Sequence, residues 1–114
     1  MDKVSKYKKI AREVLEEIGQ IRTVSRFTMR TQYLFDDEHG QYMLHKYGWK
    51  TPVRRIYGMV AHLEISDNGK IWLHHDGTGL ELANILVDKG VKKSDIVLAF
   101  HPESVREDTG FGVA

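Results

Sequence analysis

Residues 53–75, VRRIYGMVAHLEISDNGKIWLHH, decide the fold. Two β-prone runs, 53–65 and 70–75, flank Asn68–Gly69. An Asn-Gly step between alternating apolar residues is the strongest short-range hairpin signal. A two-residue turn there pairs Asp67 with Lys70, Ile65 with Trp72, and His62 with His75. Because side chains alternate along a strand, Tyr57, Met59, Ala61, Leu63 and Trp72 then share one face, the expected core face. Gly58 stands mid-strand, where a glycine marks a bulge or a close backbone approach. Pro52 cannot donate to a ladder and marks the gap before this strand.

Working upstream, TQYLFD at 31–36 and QYMLHKYGW at 41–49 flank Asp37–Gly40, a second hairpin in which Gly40 is free to take positive φ. Tyr33, Phe35, Tyr42 and Leu44 fall on one face, and Leu34, Met43, His45 and Tyr47 on the other. Neither face is plainly polar, so a helix is expected on one and a second helix or a subunit on part of the other. Residues 20–30 have weak periodicity and read as a connection into the strand. Before them, Val4, Tyr7, Ala11, Val14, Leu15 and Ile18 recur at steps of three and four, which predicts an amphipathic helix over 2–18 with Gly19 as its C-cap signal.

Downstream, Thr78 and Glu81 have capping-box spacing ahead of Leu82, Ile85 and Leu86, and Gly90 stops this short helix. Residues 91–95 read as a tight turn or one helical turn, and IVLAF at 96–100 as a short buried strand. The segment from His101 is irregular but ends in apolar FGVA, which is expected to pack down. The whole reads as a single domain over 1–114, α+β in class. Its N-terminal helix packs on a mainly antiparallel four- to five-stranded sheet, with a second short helix.

The 114 residues carry 41% apolar and 29% charged side chains, a composition that folds. Absence of cysteine excludes disulfides, thiolate zinc sites and cysteine nucleophiles. The charged opening residues do not form a secretory signal, no run is long enough to span a bilayer, and a cytoplasmic location is the expectation. Net charge is +1, yet residues 1–30 hold eight bases against four acids, and residues 61–114 five against nine. Lys8, Lys9 and Arg12, with Lys6 and joined by Arg22, Arg26 and Arg30, therefore form a candidate basic face for phosphates. The competing use of these lysines is pairing with acids on the helix and in the C-terminal half.

Side chains able to carry chemistry are sparse. His62 and His75 opposite each other, with Glu64 two residues along, would bring two imidazoles and a carboxylate together, the ligand types a metal uses. No HExxH, nucleophile elbow or phosphate-binding glycine loop accompanies them. No enzyme activity, metal or other cofactor is expected. Tyr33, Tyr42, Tyr47, Trp49, Tyr57 and Trp72 crowd the sheet, and their interleaving with Lys46, Arg54 and Arg55 has the composition of a stacking platform for single-stranded nucleic acid. Cross-strand core pairing is the commoner use of such rings.

The stretches YLFDDEHGQYMLHKYGW, RRIYGMVAHLEISDNGKIWLHHDGT and LANILVDKGVKKSDIVLAFHPESVREDTGFGVA resemble the XisI family of cyanobacterial proteins, the fdxN element excision controlling factors. The resemblance covers nearly everything after residue 30, and the combination of GKIWLHHDGT with DIVLAFHP is specific. It implies a small α+β unit and a place in the programmed excision of a DNA element during heterocyst development. Such proteins act beside a site-specific recombinase and with a companion of the XisH family. No catalytic residue carries over. Where the family pattern often has a second proline after His101–Pro102, this chain has Glu103.

His62, His101, Arg106 and Thr109 match signature positions of that pattern and form the candidate binding cluster, with Arg106 supplying a guanidinium for a carboxylate or phosphate. Tethering of the tail to the sheet by the same bonds is the alternative. The expected function is that of a non-catalytic accessory factor working through protein–protein contacts, as a homo-oligomer and with a XisH-like partner. Any DNA contact is then indirect or weak. The alternatives are a direct DNA-binding factor using Lys8, Lys9 and Arg12, and a metal-dependent nuclease subunit.

Overall fold

In the computed structural model, which describes residues 2–21 and 29–113, Asp2 opens the first helix by accepting the Ser5 amide at 2.8 Å. An acidic N-cap of this kind satisfies a donor that the helix leaves unpaired. The helix α1 spans Lys3–Gly19 and buries Tyr7, Ile10, Ala11, Val14, Leu15 and Ile18. Ile10 completes the expected stripe, whereas Val4 is only partly buried. Gly19 is the last helical residue and the C-cap is Gln20 in ordinary right-handed geometry, so Gly19 does not end the helix through positive φ. It admits the Tyr33 ring, which a Cβ at that position would overlap.

Five strands follow: β1 Met29–Asp36, β2 Gln41–Thr51, β3 Arg54–Ile65, β4 Ile71–Asp76 and β5 Ile96–Leu98. They lie in chain order across one sheet, antiparallel except for β4 and β5, which run parallel. The crossover between β4 and β5 carries α2 Leu82–Asp88, then a 3₁₀ turn at Lys93–Asp95. Most of the expected 20–30 connection lies outside the described residues.

The first hairpin pairs as its alternation predicts, with Tyr33 opposite Leu44, Leu34 opposite Met43 and Gly40 at φ +67°. The second does not. Ser66 and Lys70 close a three-residue loop, in which the Ser66 amide donates to the Lys70 carbonyl and Gly69 takes φ +78°. Ile65 therefore faces Ile71, and Glu64 faces Trp72. A bulge at His74 then restores the expected pairing of His62 with His75. A second bulge at Val60 separates the Leu44–Ala61 rung from the His45–Met59 rung.

Each bulge exchanges the faces beyond it. Ala61, Leu63, Ile65, Ile71 and Leu73 are in the core, while Tyr57, Met59 and Trp72 are not, which corrects the expected core face. Gly58 is neither bulged nor crowded, since a Cβ there meets nothing within 4 Å.

The helix α2 packs into the same core as α1, through Leu82, Ala83 and Leu86. Both helices thus cover one side of the sheet. Thr78 does not cap α2. Asp76 does, with its carboxylate accepting the Leu82 amide at 2.9 Å and the Thr78 hydroxyl at 2.6 Å. Gly90 follows the helix at φ +104°, as expected of a helix stop. A last short helix, α3 Glu103–Arg106, begins the tail, and Gly112 returns to bridge Val97.

Candidate functional site

With α1 and α2 on one side, the other face of the sheet presents the alternate set of side chains. Leu34 is 43% exposed, Met59 38% and Tyr57 73%. Between them stand Met43, His45 and Tyr47, all half-buried. The His45 ring meets Tyr57 edge-on at 4.7 Å, an arrangement the Val60 bulge makes possible by turning Tyr57 to this side. Large apolar and aromatic groups grouped on an uncovered sheet face are characteristic of a surface made for contact.

At one end of this face lies a polar strip. His62 Nε2 is 2.7 Å from Gln41 Oε1, and His74 Nε2 is 2.7 Å from Glu64 Oε1. The two imidazoles lie against each other with centroids 4.8 Å apart and planes tilted by 41°. Burial, followed by the His74 charge, holds the His62 pKa below the ordinary histidine value, against the opposing pull of Glu64. The histidine joining His62 and Glu64 is thus His74 and not His75, because His74 is the extra residue of the bulge. Among the described residues, no group of three or more His, Asp or Glu side chains is placed to hold a metal ion.

Of the cluster predicted from the sequence, Arg106, His101 and Thr109 come together, chiefly through backbone. Arg106 Nε donates to the His101 carbonyl at 3.2 Å, and the Thr109 hydroxyl donates to the Arg106 carbonyl at 2.7 Å. The guanidinium lies over the Trp72 ring at 5.6 Å, so the tail rests on β4. His62 has its contacts with Gln41 and His74 instead. Gln41, His74 and the Arg106–Trp72 contact escape a reading by alternation. A three-residue loop at Asp67–Gly69, which Asn-Gly also suits, is the one local signal that would have shifted the register toward them.

The basic helix face is occupied from within. Lys8 Nζ donates to the Asp37 carbonyl at 2.7 Å, Arg12 pairs with the Asp37 carboxylate at 2.6 Å, and Lys9 lies 3.9 Å from Glu13. The Lys8 and Arg12 bonds clamp the turn between β1 and β2 onto α1, and Asp37 also accepts the buried Tyr42 hydroxyl.

The architecture is a two-layer α+β unit with one open sheet face. The profile of the XisI protein family matches residues 1–113, and the chain belongs to that family. The crystal structure of a XisI-like protein from Anabaena variabilis superposes with a TM-score of 0.86 at 32% identity, covering 97% of this chain and 99% of that one. The fdxN element excision controlling factor XisI from Anabaena variabilis superposes with a TM-score of 0.81 at 27% identity, covering 99% and 100% of the two chains. No curated protein sequence matches. No helix of the described residues is long and apolar enough to cross a membrane.

Proposed function

We propose that this protein is a non-catalytic controlling factor for the excision of a DNA element, acting through protein contacts made by the open face of its sheet. The observation that carries this reading is the placement of both helices on one side, which leaves Leu34, Tyr57 and Met59 exposed on the other. Family membership supports the excision context, since one similar structure is that of a fdxN element excision controlling factor. The occupants are a second copy of the chain and a XisH-like companion. An isologous contact suits a face whose apolar groups repeat on every copy. We take His62, His101, Arg106 and Thr109 as the candidate contacts for the companion.

Light scattering coupled to size exclusion tests the reading. The expected result is a defined oligomer, or a defined complex when the companion is added, that Met59→Lys with Leu34→Lys dissociates without unfolding. A monomer both alone and with the companion sinks it.

A further inference from the structure

The β2–β3 hairpin continues past the helices. The α1 helix ends opposite Tyr33, and Ile18 and Ile21 share a hollow with Lys46. Beyond that level the hairpin runs on through the Trp49–Arg55 rung to the Thr51–Arg54 rung. Residues 39–63 contain no aspartate or glutamate, yet they carry Lys46, Lys50, Arg54 and Arg55. Arg30 joins from the neighbouring strand, opposite Tyr47. Among the described residues, none of Arg30, Lys50, Arg54 and Arg55 has an acidic partner, whereas Lys3, Lys9, Arg12, Lys70 and Lys89 all do.

Flat groups are interleaved with these cations. The Arg55 guanidinium lies 5.8 Å from the Tyr47 ring and 5.6 Å from the Trp49 ring, and Trp49 remains 43% exposed. Arg30, Tyr47, Gly48, Trp49 and Arg55 line one shallow depression. At the tip, Val53 is 90% exposed.

We propose that this end of the hairpin binds single-stranded nucleic acid, with Arg30, Lys50, Arg54 and Arg55 on phosphates and Trp49 as a stacking platform for a base. A group of unneutralised cations calls for a polyanion, and an indole that stays 43% exposed beside the Arg55 guanidinium calls for a flat partner. A single strand supplies both along one chain. An acidic peptide supplies only the charge, and a duplex hides its base faces within the stack. A second copy docking isologously at this end would set these cations against themselves. The patch shares Tyr47 with the open face but lies at the other end of the hairpin from the polar strip. Its cations and Trp49 are distinct from Leu34 and Met59, the groups the protein contact is tested through.

Fluorescence anisotropy with a labelled oligothymidylate at low salt, alongside intrinsic tryptophan emission, tests it. Binding is expected to weaken with salt at a slope of about 0.7 per neutralised phosphate. Tryptophan emission should quench with the oligonucleotide and not with polyphosphate. Trp49→Ala should abolish the quench and weaken binding about tenfold. Arg54→Ala with Arg55→Ala should reduce both affinity and salt slope, while Lys8→Ala with Arg12→Ala leaves binding intact.

No binding at low salt overturns the proposal. So does an equal loss from the Lys8 and Arg12 variant. Tighter binding of a duplex without quenching removes the stacking role. Loss of binding seen only together with a change in mass by light scattering reassigns the patch to self-association.

Discussion

The Tyr7 hydroxyl donates a 2.6 Å hydrogen bond to the Asp95 carboxylate, joining residues 88 positions apart. Lys3 Nζ reaches the other carboxylate oxygen at 3.0 Å, and Lys70 stands 3.5 Å from it. Asp95 is 4% exposed. Burial alone would raise its pKa, but the Tyr7 and Lys3 hydrogen bonds and the two lysine charges outweigh that, and the carboxyl sits below its ordinary value. This contact ties the first helix to the crossover that sets β5 in the sheet.

Tyr7→Phe should destabilise the fold by about 1.5–3 kcal/mol, the range for a hydrogen bond to a charged group. Because the folded Asp95 pKa is depressed, its contribution is complete above about pH 3.9 and is lost as pH falls through the lower folded value. Urea unfolding at neutral and acid pH checks both points. An unchanged midpoint in Tyr7→Phe at neutral pH would show that the bond contributes nothing.

His62 should titrate below the ordinary histidine value. Its depressed folded pKa favours the neutral ring, so its contribution to stability is complete above about pH 6.5 and is lost as pH falls through the folded value. Nuclear magnetic resonance titration of the imidazoles reads this directly. His74→Gln removes a nearby like charge and should raise the His62 midpoint. A His62 midpoint above the ordinary value would contradict the half-buried arrangement beside His74.

Two glycines should respond oppositely to alanine. Gly40 has φ +67°, and a Cβ there would overlap the Ile65 carbonyl oxygen, so Gly40→Ala should cost at least about 1–2 kcal/mol. Gly58 has open space and ordinary strand geometry, so Gly58→Ala should be neutral or stabilising by up to about 1 kcal/mol. Thermal melts of the two variants compare them.

Asp76→Ala should weaken the second helix by about 1–2 kcal/mol, since it removes the acceptor for the Leu82 amide and the Thr78 hydroxyl. Glu81→Ala should do much less, because Glu81 makes no capping bond to the helix. Amide hydrogen exchange along Leu82–Asp88 distinguishes the two. Equal protection loss in both would restore the capping-box reading.

The candidate surface was legible in part. Tyr47 and Trp49 stand out in sequence as rings among cations, and Trp49 is indeed exposed. The internal use of Lys8 and Arg12 was not legible. It depends on Asp37, which lies 29 and 25 positions away and reaches α1 only when the hairpin folds over it. The His62–His74 contact was hidden for a related reason, as one inserted residue in β4 exchanges two adjacent histidines between roles.

What the chain by itself determined is what has a short period: the helix over Lys3–Gly19, the strands, the first hairpin turn and the buried β5 run. Apolar spacing and turn chemistry act within a few residues and need no tertiary partner to be read. Only the tertiary structure decided which face of each strand enters the core, where β5 pairs, and which charges remain free. Bulges at Val60 and His74 reverse the alternation, and ion pairs form between segments far apart in sequence. Both are settled when the packed layers select the register that buries the most apolar surface and leaves the fewest charges unmatched.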